Sequence, residues 1–139
     1  MNQKTVLFLC TGNSCRSQMA EAIVNARYPE WKAFSAGTKP AGYIHELAIE
    51  ALNEIDISHS GSAGSKHIDD LPTKDFDLVV TVCNSAAEEC PVWPGKAGRR
   101  VHHDFADPAK AEGTREEQMQ VFRQVRNEML EVIPELLEY

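Results

Sequence analysis

Short unbroken apolar runs alternate with longer amphipathic stripes along this chain. Thr5 to Leu9, with Val6, Leu7 and Phe8 inside it, is brief, continuous and closed by Thr11-Gly12. That pattern predicts a fully buried strand. From Ser17 to Tyr28 the rhythm changes: Met19, Ile23 and Ala26 recur near helical spacing, Glu21 and Arg27 lie off the stripe, and Pro29 ends the segment. Trp31 to Ala36 alternates as a second strand, closed by Gly37 and Pro40. Glu46 to Ile55 carries Leu47, Ile49, Ala51, Leu52 and Ile55, a second amphipathic helix. Residues 58–66, rich in Ser, Gly and His, read as loop. Asp77 to Val82 is a third buried strand, and Val101 with its neighbours a short fourth. Glu116 to Glu138 is a long helix with Met119, Phe122, Val125, Met129, Val132 or Ile133, and Leu136 on one stripe; Pro134 is expected to distort its last turns. Strands alternating with helices predict an α/β fold, a four-stranded parallel sheet flanked by helices in three layers, with right-handed crossovers. No repeat or linker interrupts it, so residues 1–139 read as one domain.

Composition narrows the class. Apolar residues make up 42% and charged residues 25%, as in an ordinary globular protein. The formal net charge of -7 argues against nucleic acid and against an anionic membrane surface as partners. No apolar stretch approaches the roughly 18 residues of a membrane span, and the N-terminus lacks a signal-peptide pattern. The expectation is a cytoplasmic protein, with nothing demanding more than a monomer. The four cysteines are then core filler, metal ligands or chemistry rather than two staples.

In a parallel sheet ligands bind beyond the carboxyl ends of the strands. There the first strand runs into Cys10-Thr11-Gly12-Asn13-Ser14-Cys15-Arg16-Ser17. Small and polar residues let this backbone curl so that successive N–H groups of residues 11 to 16 point inward, a nest for an oxyanion at a helix N-terminus. Arg16 adds a planar charged fork that matches two oxygens of a tetrahedral anion. The same field favours a thiolate at Cys10, and Ser17 is placed to donate to it.

Cys83 closes the third strand, on the same sheet edge as Cys10, and Cys90 follows after a short, helix-compatible stretch. Seven helical residues rise about 10.5 Å, whereas a disulfide needs Cα atoms within roughly 7 Å. If Cys83 and Cys90 pair, the stretch between them must unwind or loop out, as in a redox switch. Packing and zinc binding are the other readings, though neither Cys10/Cys15 nor Cys83/Cys90 has the close spacing of zinc knuckles.

The string Cys-x5-Arg-Ser after the first strand resembles the low-molecular-weight protein tyrosine phosphatase fold. The longer run from Leu9 to Glu21 is similar to the thioredoxin-coupled arsenate reductases built on that fold. The likeness continues at Phe34-Ser-Ala-Gly37, at 77–83, at Cys90-Pro91 and at Asp107-Pro108. The resemblance implies a thiol relay that reduces arsenate: Cys10 the nucleophile, Cys83 the second thiol, Cys90 the resolving thiol. A transient Cys10–Cys83 disulfide passes to Cys83–Cys90, which thioredoxin reduces from outside, with no bound cofactor. It also implies that Asp107 is the general acid; without the resemblance, Asp before Pro reads equally as a turn or cap. Phosphatases of this fold carry tyrosines after that pair, where this chain has Ala109 and Lys110. Cys15 is expected to pack behind the loop. Some relatives bind potassium near the positions of Asn13, Glu21 and Ser35 with a further acid; Lys66 falls at that acid here, so no potassium requirement and no metal are expected. A weak phosphatase side activity is expected. The competing readings are a low-molecular-weight tyrosine phosphatase and an oxyanion-responsive redox sensor.

Overall fold

The computed structural model describes residues 3–11, 15–39, 42–58, 67–83 and 93–138. In order these form β1 (Lys4–Leu9), α1 (Arg16–Arg27), β2 (Trp31–Ala36), α2 (Glu46–Asn53), a 3-10 turn (Ile68–Asp70), β3 (Asp75–Thr81), β4 (Lys96–His102), a second 3-10 turn (Pro108–Lys110) and α3 (Arg115–Leu137). The four strands pair in the order β2-β1-β3-β4, and every pair is parallel. The expected parallel α/β sheet is therefore present. Its two inner strands are the continuous apolar runs, because parallel strands bury both faces.

Alternation along β1 splits the core. Val6 and Phe8 join Met19, Ile23, Leu52, Phe122 and Met129 from the three α-helices. Leu7 and Leu9 point the other way, with Phe76, Val79, Leu71 and Trp93. Trp31 and Trp93 are both core residues, 5% and 4% exposed. On α3 the stripe Met119, Phe122, Val125, Met129, Ile133 and Leu136 is buried as its spacing predicts.

Most boundaries shift by one or two residues from the pattern-based reading, and three of the shifts have a visible cause or consequence. β4 is a seven-residue strand rather than a short one around Val101. Lys96, Arg99 and Arg100 hide it from a hydropathy pattern; as an edge strand it is held by its register against β3. The chain also enters β3 earlier, at Asp75. α3 begins one residue sooner, after a capping box in which Thr114 Oγ1 accepts from the Glu117 amide at 3.1 Å and Glu117 Oε1 accepts from the Thr114 amide at 3.3 Å. It then runs through Pro134 to Leu137. Of the expected loop 58–66, residues 59–66 lie outside the described residues.

Hydropathy also misses the polar fastening of α2 to α3. Arg126, only 8% exposed, donates from Nη1 to the Ala51 carbonyl at 2.9 Å and to Glu54 Oε1 at 2.7 Å. Arg123 donates to the same carboxylate, from Nη2 at 2.8 Å. These hydrogen bonds, Arg123 first and Arg126 second, lower the Glu54 pKa from 4.5 to about 2. A carboxylate depressed in the folded state adds stability above its unfolded pKa and loses it as pH falls through the folded one. Glu54→Gln is expected to flatten the loss of stability between pH 4.5 and about 2. Urea midpoints of both proteins across that window check this, and parallel curves would reject it.

Candidate active site

The site grows from the carboxyl end of β1. The Cys10 amide donates to the Ala36 carbonyl at 3.3 Å, so the β1–β2 ladder continues one residue past the strand and fixes the cysteine backbone. Gly37 follows on β2. A Cβ there would stand 2.4 Å from the Thr11 carbonyl oxygen and 2.7 Å from that of Cys10, so only glycine lets the two backbones meet. The Lys39 amide also donates to the Thr11 carbonyl, at 3.0 Å. Thus β2 and its exit brace the start of the oxyanion loop. Of that loop, Gly12, Asn13 and Ser14 lie outside the described residues.

Where the chain resumes, Cys15 precedes α1 and its carbonyl accepts from the Met19 amide at 2.8 Å. Arg16 and Ser17 open the helix. Ser17 Oγ lies 2.9 Å from Cys10 Sγ, both buried, so the expected hydroxyl–sulfur contact is formed. Arg16 is 3% exposed. Its Nη1 donates to the Phe105 carbonyl at 3.4 Å, and its Nη2 lies 3.6 Å from Asp107 Oδ2. The structure therefore brings Cys10, Ser17, Arg16 and Asp107, 97 positions apart at the extremes, to one end of the sheet.

Asp107 holds two places at once. Its Oδ1 accepts from the Ala109 amide at 3.0 Å and so caps the second 3-10 turn. It also faces the site. The cap and the acid are thus compatible readings of one carboxylate, which the sequence sets against each other. Cys15 Sγ donates to the same Oδ1 at 3.5 Å. Burial chiefly, with the charge of Asp107 next, pushes the Cys15 thiol up to about 12. It is a protonated donor packed beside the loop rather than a second nucleophile.

Cys83 leaves the neighbouring strand at the same end. Leu9 and Thr81 are register partners, and the Val82 amide donates to the Leu9 carbonyl at 2.8 Å. Cys83 is fully buried and disulfide-bonded, whereas Cys10 and Cys15 are free thiols. The Cys10–Cys83 bond is thus not made in this state. Cys90 and Lys66 lie outside the described residues. Among the described residues no group of His, Cys, Asp or Glu is arranged to hold a metal ion. Ser35 Oγ is buried on β2 without a hydrogen-bond partner among the described residues. No described helix is long and apolar enough to cross a membrane.

Residues 5–139 match the model of the low molecular weight phosphotyrosine protein phosphatase family. The chain belongs to that family. Among its relatives is an arsenate reductase of Halalkalibacterium halodurans, 49% identical over 131 residues that cover 93% of this chain and 91% of the relative. Two family-like solved structures bracket the chemistry. One is the low molecular weight protein tyrosine phosphatase of T. tengcongensis, with TM-score 0.75 and 26% identity over 98% of this chain and 99% of that one. The other is a thioredoxin-dependent arsenate reductase of Corynebacterium glutamicum, with TM-score 0.65 and 26% identity over 97% of this chain and 62% of that one. The phosphatase family's fold is thus the expected one.

The residue pattern reads Gly37 only as the close of a strand and a point of family likeness, and gives no role to the Phe105 carbonyl. A glycine directly after a strand is the available signal for the first; a main-chain acceptor for Arg16 leaves none. Cys15 is expected to stay unlabelled by iodoacetamide in the folded protein from about pH 6 to about pH 9, and to label in urea. Peptide mass spectrometry reads this, and labelling at similar rates in both states would refute the buried-donor assignment.

Proposed function

We propose that this chain reduces arsenate to arsenite by a thiol relay, with thioredoxin as the external reductant. The observation that carries the reading is Cys10 Sγ held 2.9 Å from Ser17 Oγ at the mouth of the loop that Arg16 and Asp107 close. The arsenate reductase relatives support it. So does Cys83 on the adjacent strand, since hydrolysis of a phosphate ester needs no second thiol.

Arsenate sits in the loop of residues 11 to 16, against backbone N–H groups and the Arg16 fork. The Cys10 thiolate attacks arsenic and forms an S–As bond. One oxygen leaves as hydroxide, a poor leaving group, and takes a proton from Asp107 to depart as water. The Cys83 thiolate then attacks Cys10 Sγ. The S–As electron pair passes to arsenic, arsenic(V) becomes arsenic(III), and arsenite departs. A Cys10–Cys83 disulfide remains. Cys90 attacks Cys83, releasing the Cys10 thiolate and leaving Cys83–Cys90. The thioredoxin dithiol reduces that bond by two further exchanges. The sum is arsenate plus a dithiol giving arsenite, a disulfide and water. Cys83 in a disulfide while Cys10 stays free fits the last resting stage of this sequence.

Phosphate fits the same loop, so selectivity lies after binding: an arsenic adduct accepts two electrons and a phosphoryl one does not. The protein acts as a cytoplasmic monomer with no bound cofactor. By sequence position Lys66 replaces the further acid of the potassium-binding relatives, so potassium is unnecessary.

With thioredoxin, thioredoxin reductase and NADPH, arsenate is expected to drive steady NADPH oxidation. Cys83→Ser abolishes multiple turnover, and Asp107→Asn lowers kcat by about 10²-fold or more. A wild type without arsenate-dependent oxidation would overturn the reading and leave a sensor. A Cys83→Ser protein with undiminished arsenate reduction would overturn the relay. Exchanging sodium for potassium at constant ionic strength is expected to leave the rate unchanged; a large potassium-specific rise would reject the Lys66 substitution.

A further inference from the structure

We propose that His103 is a positioning residue for the anion site. The stretch from His103 to Asp107 has no regular secondary structure, yet it presents two groups to Arg16: the Phe105 carbonyl at 3.4 Å and the Asp107 carboxylate at 3.6 Å. At its start the His103 amide donates to the Thr81 carbonyl at 3.0 Å, the last rung beside β4. At its end Asp107 caps the turn at 108–110. Between these points a side-chain clamp holds it. The His103 ring stacks on the Phe105 ring with centroids 4.5 Å apart and planes tilted by 49°. Its Nε2 lies 3.0 Å from Glu128 Oε2 on α3. A carboxylate only accepts, so this bond places a hydrogen on Nε2.

The clamp runs from the surface to the site. Glu128 fixes the plane of the His103 ring, that plane fixes the Phe105 ring, and Phe105 is 1% exposed, so its backbone has one place to sit. The carbonyl of that residue holds one arm of Arg16. Two residues on, Asp107 meets the other arm. Rotation of the Phe105 peptide would misdirect the fork that binds the anion and the carboxylate that protonates the leaving oxygen. His103 touches neither substrate nor sulfur, so it acts through those two groups.

Two measurements test this, and only one rests on the proposed reduction. Phosphate binding, followed by amide chemical shifts during titration with inorganic phosphate, reads the Arg16 arm without turnover. Arsenate-dependent NADPH oxidation reads both arms. His103→Ala is expected to weaken phosphate and to lower kcat/KM for arsenate, each about tenfold, because small misplacements of a clamp are costly. His103→Phe keeps the stack and is expected to recover both to within about threefold. Placed on Asp107→Asn, the His103→Ala change is expected to lose most of its effect on kcat while keeping its effect on phosphate. Phosphate affinity and kcat/KM within about twofold of wild type for His103→Ala would overturn the proposal. So would a kcat penalty undiminished on Asp107→Asn. If His103→Ala does not fold, Glu128→Ala reads the same clamp from outside: an unchanged phosphate affinity counts against it, an about threefold weakening for it. A wild type that binds phosphate in a His103-dependent way but never consumes NADPH would sink the reductase reading and leave this one standing.

Discussion

A buried guanidinium cannot stand alone. Arg16 is almost entirely removed from water, and desolvating a charge is tolerated only where partners meet it. Two of its partners, the Phe105 carbonyl and the Asp107 carboxylate, come from the chain after β4, at the far side of the sheet from β2. That demand ties the start of α1 to the 103–107 stretch and closes the site. It also keeps the fork from collapsing onto Asp107: at 3.6 Å the pair is loose, and a main-chain oxygen takes part of the charge.

The thiols are sorted by where the backbone ends rather than by their own chemistry. Cys10 continues the β1–β2 ladder and lies against a serine hydroxyl. Cys15, five positions on, is turned toward a carboxylate in a buried place where it stays protonated. Cys83 sits beyond a neighbouring strand whose register with β1 brings both chain exits to the same edge. Three similar side chains thus become the proposed nucleophile, a hydrogen-bond donor and half of a disulfide. The parallel sheet makes this arrangement economical, because every strand delivers its next residue to the same end.

Much of this is legible before folding. The apolar runs of β1 and β3, the stripe on α3 and the Cys-x5-Arg-Ser string are local signals, and each specifies its element or its chemistry within one short stretch of chain. The edge strand β4 is not, since charged residues on an exposed edge look like loop until a partner strand supplies the ladder. Nor do His45 and His67 announce themselves as caps. His45 accepts from the Leu47 amide at 3.1 Å and His67 from the Asp69 amide at 3.0 Å, roles usually taken by Ser, Thr, Asn or Asp.

The amino-acid sequence by itself determined the alternation of strand and helix, the Cys-x5-Arg-Ser string after β1, and the second pair of cysteines on which the proposed reduction rests. Those features depend on spacing within short segments, where backbone geometry follows directly from residue type. Only the tertiary structure decided which oxygen atoms face Arg16, that Asp107 caps a turn and faces the site together, that Cys15 donates to it, and that His103 and Glu128 steady the turn between them. Apart from the local Asp107 cap, those contacts join residues 25 to 92 positions apart, and no local pattern encodes a distance that depends on how the sheet and α3 pack.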